Sequence, residues 1–164
     1  MPLTMHAGAH GEESQAATPA TAFARLFAEA WAIGATDPER FFAHFATSFA
    51  PDVRLVQPLV PAATGLHGFR RRFEPIFAAI PDLRAEVLRY GATADGVLIE
   101  LTLRGTVAGR ELSWNATDRF TMKDGLVVER RSYFDPLPVI AAVLRRPRGA
   151  ARMAATLLTT RRRP

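Results

Sequence analysis

Residues 110–135, RELSWNATDRFTMKDGLVVERRSYFD, read as two strands folded back on each other. Lys123-Asp124-Gly125 is the turn, and Gly125 supplies the positive φ that closes a three-residue hairpin loop. That loop sets Met122 against Leu126, Phe120 against Val128, Asp118 against Arg130, Ala116 against Ser132 and Trp114 against Phe134. Side chains alternate along a strand, so these ten share a face. The face is apolar except for Asp118, Arg130 and Ser132. The opposite face carries Ser113, Asn115, Thr117, Arg119 and Thr121, which suits water or a partner subunit. An acid and a base on the apolar side of a sheet require a reason, and function is sought there.

Working outward, Ala108-Gly109 is a two-residue turn from an earlier strand, Val97–Val107. In that strand Val97, Ile99, Leu101 and Leu103 alternate with Leu98, Glu100, Thr102 and Arg104. The turn places Leu103 beside Trp114 and Ile99 beside Asp118, so the apolar faces coincide. Asp95-Gly96 turns the chain back to a strand over Leu83–Tyr90.

The first half of the chain has a helical period. Thr18 caps a helix opened by Pro19, with Phe23, Leu26, Phe27, Ala30 and Trp31 on one side and Gly34 at its end. Asp37-Pro38 starts a second helix, and Phe41, Phe42, Phe45 and Phe49 fill the buried side; His44 lies at the core edge as a structural residue. Pro51-Asp52 turns into a short strand, Val53–Gln57, in which Val53, Leu55 and Gln57 share a face. Leu59–Gly65 reads as a loop, and a third helix runs from about His67 to Ala79 with Pro75 inside it. After the sheet, Leu137–Leu144 is a short apolar helix stopped by Pro147, and Ala150–Arg163 is a further helical candidate. Helices first and antiparallel strands after give an α+β layout: a curved sheet packed against three helices around a hollow lined by the inward side chains.

The 164 residues suit one domain, 48% of them apolar. We expect a disordered tail over 1–18, the domain over 19–140, and a basic helical tail over 141–164. The net charge of +5 is a property of that last tail: its seven arginines between Arg145 and Pro164, taken from +5, leave −2 for the rest. The tail fits a solvated terminus, then a weak contact with an anionic membrane surface. It lacks aromatic residues for base stacking, so no specific nucleic acid is expected. Without cysteine there is no disulfide, thiolate metal site or cysteine nucleophile. His6 and His10 alone do not make a metal site. No cofactor is expected. Lacking a signal-peptide pattern or a long apolar run, the chain is expected to be cytoplasmic.

Several motifs then fall in a familiar order. They are Trp31 with Asp37-Pro38; Asp52-Val53, Leu55 and Pro58; Ala78-Ala79-Ile80-Pro81-Asp82-Leu83; Asp118 and Phe120 with Asp124-Gly125; and Arg131-Ser132-Tyr133-Phe134-Asp135-Pro136. Over roughly Pro19–Ile140 the chain resembles the SnoaL-like polyketide cyclase group of the nuclear transport factor 2-like superfamily, whose relatives include Δ5-3-ketosteroid isomerase and limonene-1,2-epoxide hydrolase. The resemblance implies a cone-shaped α+β barrel with an apolar pocket and often a dimer, here a homodimer through the outer sheet face. It does not imply one activity.

The known chemistries map poorly onto these residues. The isomerase's base position is similar to Gln57, which cannot take a proton at neutral pH. Asp118 matches the isomerase's second acid, but Arg130 opposite it favours the ionised form. The hydrolase's catalytic aspartate position is similar to Ser132, and its tyrosine and asparagine positions to Leu55 and Gln57. Its Arg-x-Asp is missing from Val97–Arg104, and Asp135 survives only at a strand end, where it caps or turns the chain. The candidate catalytic residues are therefore Asp118 and Arg130. Gln57, Leu55, Ile99, Leu101, Trp114, Phe120, Ser132 and Phe134 are the candidate ligand-binding set. The expected function is a pocket for a small apolar metabolite of polyketide, terpenoid or steroid type. The alternatives are a cofactor-independent cyclase, isomerase or hydrolase using Asp118 and Arg130, and a dimerising module with a vestigial pocket.

Overall fold

Local capping chemistry sets the first elements in the computed structural model, which describes residues 18–107 and 109–144. The Thr18 side chain accepts from the Thr21 N–H at the start of α1 (Pro19–Ile33). Asp37 accepts from the Arg40 N–H at the start of α2 (Pro38–Ala46). Each satisfies a backbone donor that the helix leaves unpaired. Gly34 links the two helices through a short 3-10 turn with φ of 52°. A Cβ there would overlap the Leu83 carbonyl, which accepts from the Ala35 N–H at 2.9 Å.

The remaining elements are β1 (Phe49–Gln57), β2 (Val60–Thr64), α3 (Gly65–Ala79), β3 (Arg84–Thr93), β4 (Gly96–Val107), β5 (Arg110–Lys123), β6 (Leu126–Phe134) and α4 (Leu137–Leu144). They form one six-stranded curved, unclosed sheet in the order β2-β1-β6-β5-β4-β3, with β1 parallel to β6 and the other pairs antiparallel. This is the expected α+β layout. The expected tails over 1–17 and 145–164, with His6, His10, the Arg-rich segment and the helix over Ala150–Arg163, lie outside the described residues, as does Ala108 of the β4–β5 turn.

Helices α1 and α3 cover one face of the sheet, and aromatic rings fill the space between the layers. Trp31 lies edge-on to Phe41, Phe73 and Phe77, with centroids 5.0, 5.9 and 6.4 Å away. Phe120 of the sheet meets Phe23 and Phe27 of α1 at 4.7 and 5.4 Å. Edge-to-face pairing at these separations adds to the burial of each ring.

Five expectations need correction. Leu59–Gly65 is not a loop: β2 pairs with β1 over Val60–Thr64, and Pro61 is tolerated because β2 is an edge strand. Pro51-Asp52 is not a turn: both lie within β1, in the irregular part of its ladder with β6 between Phe49 and Arg54. Helix α3 begins at Gly65 rather than near His67, and β3 runs on to Thr93.

The fifth correction concerns the β5–β6 hairpin. Lys123 pairs with Leu126, so the loop has two residues, Asp124 and Gly125, both at positive φ (51° and 80°). That is the sense of twist the flanking strands require. Farther on, Met122 pairs with Val127 and Thr121 with Glu129, which leaves Val128 as an extra residue in a bulge. Val127 is therefore inward in place of Leu126 and Val128. Arg130 then stands beside Phe120, Ser132 beside Asp118, and Phe134 beside Ala116. The loop and the bulge each shift the register by one residue, so together they restore the facing of Arg130 and Ser132. The β4–β5 register is as expected, with Ile99 beside Asp118 and Leu103 beside Trp114.

Candidate functional site

Asp118 sits at the centre of the inward face and is completely buried (0% exposed). Ile99 and Ser132 flank it on the neighbouring strands. Arg130, 7% exposed, lies between Leu55 of β1 and Phe120 of β5. The two charged residues are thus diagonal neighbours rather than direct partners, and the long arginine side chain spans the offset. Its Nε donates to Asp118 Oδ2 at 2.8 Å, and its Nη2 lies 2.7 Å from the same oxygen. The guanidinium also lies over the Phe73 ring of α3, 5.4 Å from the centroid.

Both donors converge on Oδ2, so Asp118 Oδ1 is buried without a hydrogen-bond partner among the described residues. Native proteins seldom leave a buried carboxylate oxygen unpaired, and such an oxygen can accept a proton or a ligand hydroxyl. Arg130 keeps further N–H donors for a ligand oxygen.

A third charged group was not found by sequence reasoning. Arg72 lies in α3 three residues after the buried Phe69 and four before Ile76, which packs against the core. One of its terminal nitrogens, Nη2, donates to the Pro61 carbonyl of β2, and the other, Nη1, is buried without a partner among the described residues. Burial lowers the Arg72 pKa from its ordinary value, and the charges of Arg130 and Arg71 lower it further. The signal was the spacing of Arg72 from Phe69 and Ile76; the run Arg70-Arg71-Arg72 hides it among exposed arginines.

The other expected site residues divide into two groups. Leu55, Ile99, Leu101 and Phe120 are closed into the core, as is Ser132 at 5% exposure. Gln57, Trp114 and Phe134 are half-buried and form the edge that solvent reaches. Beyond Trp114 a cavity of about 460 Å³ lies between α4 and the β4–β5 end of the sheet. Val107, Leu112, Pro138, Ala141 and Ala142 line it, with Arg110 and Glu111. Leu112, Trp114, Ala116 and Asp118 succeed one another on the inward side of β5, at roughly 6–7 Å per step, so the strand leads from this cavity to the carboxylate. Asp135 does not reach the site: its Oδ1 accepts from the Leu137 N–H at 2.9 Å and caps α4. No group of three or more metal-ligating side chains occurs among the described residues, and no helix there is long and apolar enough to cross a membrane.

The model of the SnoaL-like domain family matches residues 23–130. No curated protein matches the chain. Among solved structures, a protein of Jannaschia sp. CCS1 with the provisional designation of SnoaL-like polyketide cyclase is 22% identical, covers 84% of this chain and 99% of its own, and has a TM-score of 0.69. An epoxide hydrolase of M. tuberculosis, of the LEH-like type, is 17% identical over 84% of this chain and 96% of its own, at 0.59. TerC, crystallised with polyporic acid, is 17% identical over 76% of this chain and 98% of its own, at 0.64. At these identities the likeness shows the fold.

Proposed function

The chain belongs to the SnoaL-like domain family, and we propose that within it this protein binds a small hydrophobic metabolite of polyketide, terpenoid or steroid type against the Asp118–Arg130 pair. The observation that carries this reading is the unpartnered Asp118 Oδ1 on the inward sheet face. A purely structural ion pair would gain by saturating both carboxylate oxygens. The cavity under α4 and the half-buried Trp114 and Phe134 support an approach along β5.

The same oxygen favours a second reading, cofactor-independent cyclase, isomerase or hydrolase chemistry. There Asp118 would exchange a proton with the ligand while Arg130 stabilises the oxyanion that forms. The family hosts enzymes and binders alike, so turnover is decided by assay. A homodimer through the outer sheet face accompanies both readings. That face exposes Leu88 and Tyr133, each 52% accessible, beside Asn115 and Thr117.

Native mass spectrometry of freshly purified protein, followed by a binding and turnover panel of polyketides, terpenoids and steroids, tests the proposal. A ligand bound by the wild type and lost in Trp114→Ala and in the double variant Asp118→Asn/Arg130→Met is the expected result. Unchanged affinity in both variants would refute it.

A further inference from the structure

The charge in the interior does not balance. Asp118 contributes one negative charge, and Arg130 and Arg72 contribute two positive ones. Arg130 is compensated by Asp118 Oδ2. Among the described residues Arg72 has only a neutral carbonyl, that of Pro61, for one terminal nitrogen and nothing for the other. The exposed arginines behave differently. Arg70 holds Glu39 through two contacts of 2.6 Å, Arg54 holds Glu129 at 2.7 Å and Arg89 holds Glu100 at 2.6 Å. Arg72 is thus a half-buried cation with one terminal nitrogen shut off from solvent, whose nearby charged groups include Arg130 and Arg71 and, among the described residues, no acid paired to it. Such a group is costly unless an anion joins it.

Its position makes that cost useful. Arg72 rises from α3 one residue before Phe73, the ring that carries the Arg130 guanidinium. Its Nη2 reaches the Pro61 carbonyl of β2, and only β1 separates β2 from the strand of Arg130, so the two guanidinium groups lie near enough for the charge of Arg130 to act on Arg72. Arg72 and Gln57 are both partly exposed, which gives this end of the site a side toward solvent.

We propose that the ligand of this site is an anion: a planar organic oxyanion, either a carboxylate or an ionised enol, carried on a hydrophobic body. Arg72 Nη1 and the spare N–H groups of Arg130 hold the oxyanion. Asp118 Oδ1 accepts a hydrogen bond from a neighbouring hydroxyl of the same ligand. This rests on the binding reading above and narrows it, since a neutral terpene or steroid would leave Arg72 uncompensated. Two guanidinium groups match a planar oxyanion through paired N–H donors.

Two probe pairs test it by titration calorimetry on the full chain: 2-naphthoate against 2-naphthamide, and 4-hydroxycoumarin against coumarin. One acid, at least, should bind tenfold or more tightly than its neutral counterpart; which pair shows the difference separates carboxylate from enolate. Arg72→Met should abolish that preference. Arg72→Lys should retain part of it, because the charge remains without the planar fork. If Arg72→Met fails to fold, the wild-type comparison still decides. Neutral probes binding as well as the acids would overturn this proposal and leave the hydrophobic-binder reading standing. A lack of binding by all four probes would overturn both. An acid preference that survives in folded Arg72→Met would assign the recognition to another group and overturn the role of Arg72.

Discussion

Removing Arg130 alone should be among the most damaging single changes in the molecule. In Arg130→Met the Asp118 carboxylate loses both of its contacts, at 2.8 and 2.7 Å, while remaining completely buried. Its other oxygen already lacks a partner, so the variant leaves a carboxylate with no donor in the present arrangement. Breaking a buried pair from one side typically costs about 3–5 kcal/mol. For a domain of this size, each kcal/mol lowers Tm by roughly 4 °C, so a fall of about 12–20 °C is expected. Asp118→Asn should cost less, about 2 kcal/mol, because Arg130 keeps the Phe73 ring and some contact with solvent. The double variant Asp118→Leu/Arg130→Met removes both charges and should recover most of the loss, which gives a coupling of at least about 2 kcal/mol in a double-mutant cycle. Urea unfolding of the wild type, Asp118→Leu, Arg130→Met and the double variant measures this coupling. A neutral or stabilising Arg130→Met, or additive effects in the double variant, would refute the buried-pair argument.

Other parts of the structure make further predictions. Gly34→Ala should lower stability by about 2 kcal/mol or more, read by thermal melting, because it combines a positive φ with overlap on the Leu83 carbonyl. Trp31→Ala should cost about 3–5 kcal/mol in the same assay, since its buried indole meets Phe41, Phe73 and Phe77. Hydrogen bonding from the Thr106 side chain, and from its backbone N–H at 2.7 Å, holds the Asp82 carboxyl below its ordinary pKa. A lowered folded-state pKa gives stability that is full above the unfolded value of about 3.9 and is lost as pH falls through the folded value. The difference between wild type and Asp82→Ala should therefore be about 1 kcal/mol at pH 7 and shrink below about pH 4; a constant difference would contradict it. Tyr133→Asp should convert a dimer to monomer in light scattering if the outer face is the interface.

The sheet was legible in the sequence where two independent signals agreed. On β4 and β5 the alternation and the two-residue turn fixed one register, and Ile99 stands beside Asp118 as that register requires. The β5–β6 hairpin was harder because Lys123-Asp124-Gly125 satisfies two loop lengths, and both need glycine at the last position. The bulge at Val128 has no marker in a Val-Val pair. The two single-residue errors cancelled in parity, which is why the inward facing of Asp118 and Arg130 was read correctly from an incorrect pairing. β2 was missed because Val60-Pro61-Ala62-Ala63-Thr64 has weak strand chemistry, and its formation depends on the neighbouring β1. The filling of the interior by Phe41, Phe45, Phe69, Phe73 and Phe77 was legible as helical stripes. Their joint volume was not, because stripes on separate helices say nothing about how far apart the layers lie.

The proposed ligand meets Arg130 and Arg72 in the interior of the domain. Side-chain NMR of the Nε–Hε groups, assigned with Arg130→Lys and Arg72→Lys, follows both residues during titration with 2-naphthoate. Saturable shifts at these two signals with one shared Kd are the expected result. Saturation of the protein with shifts confined to surface arginines such as Arg54, Arg70 and Arg89 would contradict it.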